Sequence, residues 1–125
     1  MIFDTDVLIH IQRGHPKAAA LFRAQDAFFI SVQTYLELFQ GALNKEHLQR
    51  TKLLLSEYEI EVLPLTRNIG HRAMMYIEQY NLSNGLSAGD ALIAATAVEN
   101  DMPLASANQK HYKAIKELKL ELFKP

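Results

Sequence analysis

Acidic side chains that stand beside short apolar runs are the residues of this chain with chemistry to offer. Asp4-Thr5-Asp6 follows Ile2-Phe3 directly and precedes a helical pattern from Val7 to Arg13. Two carboxylates at a strand end can ligate a metal or supply a nucleophile. They can equally cap the helix, because Asp is favoured at an N-cap and in a first turn. Asp90 lies in the first turn of Ala88 to Val98, a segment small or apolar nearly all round. Such a helix is buried on most faces. Ser87 and Asp90 have capping-box spacing, and a carboxylate can cap a buried helix start and still face a site. Glu37 falls with Gln33, Gln40 and Asn44, off the stripe of Val32, Tyr35, Leu36, Phe39 and Leu43. Periodicity alone puts Glu37 on a solvated face, and Thr34 with Glu37 forms another candidate capping box. Ser106-Ala107-Asn108-Gln109-Lys110-His111-Tyr112 offers a hydroxyl, an amide and a histidine. Its plainer reading is a strand-to-helix turn capped by Ser106 or Asn108.

Carboxylates brought within a few ångströms of one another need a cation, or one of them must protonate. An all-oxygen ligand set suits Mg²⁺ or Mn²⁺ and not zinc. At the end of a parallel sheet, such a site suits hydrolysis of phosphate esters.

The elements that would position these residues alternate. Short β-rich runs at 2–3, 27–30, 60–65, 103–106 and 120–123 are separated by helical patterns. These cover Val7 to Arg13, Pro16 to Gln25, the Val32–Leu43 stripe, Glu46 to Glu57, Asn68 to Tyr80 and Ser87 to Asn100, with a turn-rich loop from Asn81 to Gly85. Strands alternating with helices imply parallel pairing and right-handed crossovers, hence an α/β domain of three layers around a sheet of about five strands. Ligands in such folds sit beyond the carboxyl ends of the strands, which is where Asp4 falls if its strand is central.

Composition narrows the classes. The 125 residues suit one domain, 1–125, and 49% hydrophobic with 22% charged residues describes a globular chain. A net charge of −1 excludes a polyanion binder held by bulk charge, though not a local nucleic-acid site. With no cysteine there are no disulfides, thiolate nucleophiles or zinc–thiolate sites. No secretory signal opens the chain and no apolar run approaches the roughly twenty residues of a membrane span, so a cytoplasmic protein is expected. P-loop, dinucleotide, nucleophile-elbow and H-E-x-x-H motifs are absent. The five histidines have no ligand spacing and read as surface or packing residues.

Taken in order, four segments resemble the PIN-domain family, specifically the VapC-like ribonuclease toxins. Ile2 to Ile9 is similar to the family's opening strand and first acid, and Ser31 to Leu38 to the helix bearing the second. Leu86 to Ala97 is similar to the third acid and its buried helix, and Pro103 to Tyr112 to the last motif. The resemblance implies a three-layer α/β/α PIN-like domain and an Mg²⁺- or Mn²⁺-dependent endoribonuclease acting on RNA. It assigns Asp4, Glu37 and Asp90 as metal-binding catalytic acids, with Asp6, Thr5 and Ser106 in support. It also implies a homodimer and a cognate VapB-like antitoxin. Many relatives carry an aspartate in the last motif where this chain has Asn108, and threonine is common where it has Ser106. Asn108 is expected to join the catalytic set as an amide that orients water without adding charge, which weakens the case for a second tightly held metal. Two alternatives fit part of the pattern. One is a haloacid-dehalogenase-type phosphatase with Asp4 as nucleophile and Asp6 as general acid, though Ala94 replaces an acid it would need. The other is a non-catalytic PIN-like or receiver-like binding module.

Overall fold

The computed structural model describes residues 1–125. Five short strands, β1 (Ile2–Phe3), β2 (Phe29–Ser31), β3 (Glu61–Leu63), β4 (Leu104–Ser106) and β5 (Leu120–Leu122), form one sheet in the order β3-β2-β1-β4-β5. Every neighbouring pair is parallel. β1 is therefore central, and the strand order reverses beside it, where open α/β sheets bind ligands.

Alternation along the strands divides the core. Successive strand residues point to opposite faces. Ile2 and Leu104 join one apolar cluster, Phe3 and Ala105 the other. The first cluster lies under α5 (Arg67–Asn84) and α6 (Ala88–Glu99), the second under α1 (Thr5–Gln12), α2 (Pro16–Arg23) and α3 (Val32–Gln40). α4 (Lys45–Glu57) packs beside α3, and α7 (Gln109–Tyr112) follows β4. Helices on both faces of a parallel sheet give the expected three layers. No helix is long and apolar enough to cross a membrane.

Several boundaries differ from expectation. α1 starts at Thr5, two residues early, because Asp4 caps it: its Oδ1 accepts from Thr5 N at 2.7 Å. α3 is capped by Ser31, whose Oγ accepts from Thr34 N at 3.0 Å. The Thr34–Glu37 capping box is therefore not made, and Glu37 lies mid-helix. The turn-rich stretch from Asn81 belongs instead to α5, which runs to Asn84 and ends on left-handed Gly85 (φ 69°). The Ser87–Asp90 cap is present, with Ser87 Oγ accepting from Asp90 N at 3.1 Å.

Candidate active site

The carboxyl ends of the two central strands bring Asp4, Asp90, Ser106, Asn108, His111 and Tyr112 together. Asp4 is buried at the end of β1. Its Oδ2 accepts from Ser106 Oγ at 2.7 Å and from the Tyr112 hydroxyl at 3.2 Å. The same hydroxyl stands 3.3 Å from Asp90 Oδ1, so Tyr112 lies between the two carboxylates and can donate its one proton to only one at a time. α6 delivers Asp90 from a segment whose Ala91, Ile93, Ala94, Ala95, Thr96 and Ala97 are all buried. Small residues let this helix seat close to the sheet, and Asp90 emerges from its first turn.

Asp6 stands near Asp4 but is held by backbone donors. Its Oδ2 accepts from Ala107 N at 3.0 Å and its Oδ1 from Val7 N at 2.7 Å. It thus ties the start of α1 to the loop after β4. Thr5 bridges to Glu37: its N–H donates to Asp4, and its Oγ1 donates to Glu37 Oε1 at 2.9 Å. Glu37 is half-buried at the same end of the sheet rather than on the solvated face that periodicity favours. No group of three or more His, Asp or Glu side chains stands close enough to hold an ion as placed. The acids divide into the Asp4–Asp90 pair, with Glu37 linked to Asp4 through the hydroxyl and backbone N–H of Thr5.

Asn108 stands at the N-cap position of α7, but its side chain makes no cap bond. Its backbone N–H donates to Ser106 Oγ at 3.0 Å, and its amide nitrogen lies 2.9 Å from His111 Nδ1. That Nδ1 is also 2.9 Å from Asp90 Oδ2. An ionised carboxylate only accepts, so Nδ1 carries the proton in this contact. The Asn108 amide is then satisfied by turning its oxygen, not its nitrogen, to the ring. Pattern reading placed His111 among the surface histidines and assigned no role to Tyr112. The available signal was their adjacency to Asn108 at the end of β4.

Electrostatically the site is an excess of negative charge. Burial first, then Asp6 and to a smaller degree Asp90, push the Asp4 carboxyl up to about 7. Hydrogen bonds from Ser106 and Thr5 oppose the rise. Asp6 is raised by burial against the pull of the Ala107 and Val7 N–H groups. Burial, then Asp4 and Asp90, push the Tyr112 phenol far up, so it remains a protonated donor. None of Asp4, Asp6, Glu37 or Asp90 forms an ion pair with Lys or Arg. Desolvated carboxylates met by hydroxyl and backbone N–H donors, with no Lys or Arg partner and only the His111 ring against Asp90, fit a hard divalent cation. Mg²⁺ is commonly held by one or two carboxylates with the remaining positions taken by water and substrate phosphate, so the Asp4–Asp90 pair suffices for it.

A parallel sheet of this order with acids at its central carboxyl ends defines a PIN-type α/β/α domain. The PIN-domain family profile matches residues 1–117, and the chain belongs to that family rather than to the haloacid-dehalogenase phosphatases. Ribonuclease VapC10 of Mycobacterium tuberculosis (strain CDC 1551 / Oshkosh) is 35% identical over 123 residues, 95% of this chain and 90% of that protein. A toxin–antitoxin complex from Klebsiella pneumoniae contains a chain that superposes with a TM-score of 0.80 at 28% identity, covering 94% of this chain and 93% of that one. VapBC-1 from nontypeable Haemophilus influenzae gives 0.79 at 27% identity, with 98% of each chain covered.

Proposed function

We propose that this chain is a divalent-metal-dependent endoribonuclease and the toxin of a toxin–antitoxin pair, restrained by a VapB-like antitoxin and acting as a homodimer. The observation that carries the chemistry is the buried Asp4 sharing the Tyr112 hydroxyl with Asp90, with no Lys or Arg paired to either and only the His111 ring against Asp90. The kinship with ribonuclease VapC10 and with the chains of toxin–antitoxin complexes supports the substrate and the partner.

Asp4 and Asp90 would hold Mg²⁺ or Mn²⁺, and Glu37 would reach the same centre from across Thr5. When bound, the ion supplies an activated water and a clamp on the phosphoryl oxygens. The chain's own groups set the geometry. Ser106 and Thr5 fix the Asp4 carboxylate through its two oxygens. Tyr112 keeps a proton between the acids. His111 orients Asp90, and Asn108 steadies the ring. Asp6 fixes the loop that carries them. Asn108 brings an amide and no charge, which favours one firmly held ion, a second arriving only with substrate phosphate.

Asp4→Asn and Asp90→Asn are each expected to abolish RNA cleavage in Mn²⁺ while circular dichroism stays native. Mn²⁺, but not NaCl at equal ionic strength, is expected to raise the wild-type melting temperature, because binding to the native state alone stabilises it. Wild-type cleavage by either variant would sink the assignment. Failure of the wild type to bind Mn²⁺ would instead identify a non-catalytic module.

A further inference from the structure

We propose that the cleft between α1, α3 and α4 is the subsite for the nucleotide flanking the scissile phosphate, with Arg13 and Arg50 as its phosphate clamp. The inference rests on the ribonuclease reading above. The cleft measures about 340 Å³ and is lined in part by Glu37, so it borders the acidic centre. Continuity is short: Glu37 accepts from Thr5 Oγ1 at 2.9 Å, and Thr5 N donates to Asp4 at 2.7 Å. A strand with one phosphate at Asp4 and Asp90 therefore has a neighbouring recess open to it.

The recess has the chemistry of a nucleotide. Its polar side holds the guanidinium groups of Arg13 and Arg50 and the ring of His47. Arg13 forms no ion pair, and Arg50 has only an exposed 3.4 Å contact with Glu46. Exposed pairs of that kind hold little energy, so both guanidinium groups are free for phosphate. His47 Nδ1 accepts from Leu43 N at 3.2 Å, which leaves Nε2–H as the ring's donor. The apolar side consists of Ile9, Leu38 and Leu43, the last 86% exposed. A base can lie against these while its phosphate meets the arginines. This concentration of positive charge beside an acidic centre, in a chain of net charge −1, matches a polyanion that must also pass the metal-binding acids.

The test is binding of a short, labelled, single-stranded oligoribonucleotide in EDTA, where the strand stays intact, read by fluorescence anisotropy across a salt series. Arg13→Gln and Arg50→Gln are each expected to weaken binding about tenfold, the loss of one charge-assisted contact. Each is also expected to lower the log–log salt slope by about 0.7, the increment for one phosphate on a single strand. Lys116→Gln changes net charge equally but lies in a different recess, beside Tyr76 and Glu117, and should leave both quantities unchanged. Wild-type affinity and slope in both arginine variants would overturn the proposal. So would wild-type RNA binding together with lost binding of an antitoxin C-terminal peptide, which would make the cleft a protein groove. Absence of cleavage in Mn²⁺ would strike the ribonuclease reading alone, because this measurement involves no metal and no cleavage.

Discussion

Asp4 has two duties that conflict. As the N-cap of α1 it satisfies a backbone donor, and as a buried acid beside Asp6 and Asp90 it resists ionisation. Its carboxyl moves from 3.8 to about 7, so the fold favours the protonated form. Stability from this group is fully present below pH 3.8 and lost as pH rises through about 7. Above that, the metal-free protein forfeits a few kcal/mol, by the rule of roughly 1.4 kcal/mol per pKa unit. Asn at position 4 carries no charge, and its amide can donate to the Ser106 or Tyr112 oxygen while its carbonyl serves the Thr5 N–H. In EDTA at pH 8, Asp4→Asn is therefore expected to melt above the wild type, although it is inactive. The gap should close near pH 4. Equal melting temperatures at pH 8 would show that Asp4 carries no electrostatic penalty.

At the scale of elements, caps decide where the acids stand. Asp4, Ser31 and Ser87 each end an extended segment and accept a bond from the first turn of the next helix. Apolar runs ending in Asp or Ser made β1, β2 and the buried α6 legible from sequence, and Asp4 and Asp90 with them. Glu37 was not legible in that way. A periodic pattern marks any polar residue off the apolar stripe as solvated, whether it faces water or a polar site. Tyr112 was hidden for the opposite reason: a buried aromatic ring reads as core, and only its hydroxyl belongs to the site. α7 has four residues, too few to show a helical period. Gly85 was read as part of a loop, yet it terminates α5 with φ 69° and accounts for the abrupt turn toward α6. An L-residue pays roughly 1–2 kcal/mol for that conformation. Gly85→Ala is expected to lose about that much in urea unfolding, and Gly85→Asn less, since Asn tolerates the left-handed region. An alanine variant as stable as wild type would mean that the turn relaxes to another geometry.

At the scale of the molecule, the α5–α6 layer is tied to the segment before β5 by a charged cluster that shares no residue with the acidic site. Arg72 Nε donates to Glu99 Oε2 at 2.6 Å and Arg72 Nη1 to Glu117 Oε1 at 2.7 Å, with the Tyr76 hydroxyl donating to the same Glu117 oxygen. These contacts join the middle of α5, the end of α6 and the segment between α7 and β5. That segment continues directly from Tyr112 and anchors Ile115 and Leu118 in the core. The cluster thus holds the far end of the element that places Tyr112 between the acids. Arg72→Ala leaves partly buried Glu99 without its partner, and is expected to cost about 1–3 kcal/mol. For a chain of this length that is on the order of 4 °C of melting temperature per kcal/mol. Arg72→Lys should recover only part, because one ammonium cannot reproduce a guanidinium fork reaching two carboxylates. The pH dependence has the opposite sign to that of Asp4. Tyr76 and Arg72 hold the Glu117 carboxyl below its ordinary value of 4.5, so its contribution is present above that pH and lost as pH falls through the depressed value. Its exposure keeps this part small. The wild-type advantage over Arg72→Ala should therefore be full at pH 7 and shrink below about pH 4, measured by thermal melting in EDTA. A gap that is constant from pH 7 to pH 3 would assign the loss to packing of the arginine stem rather than to its charge.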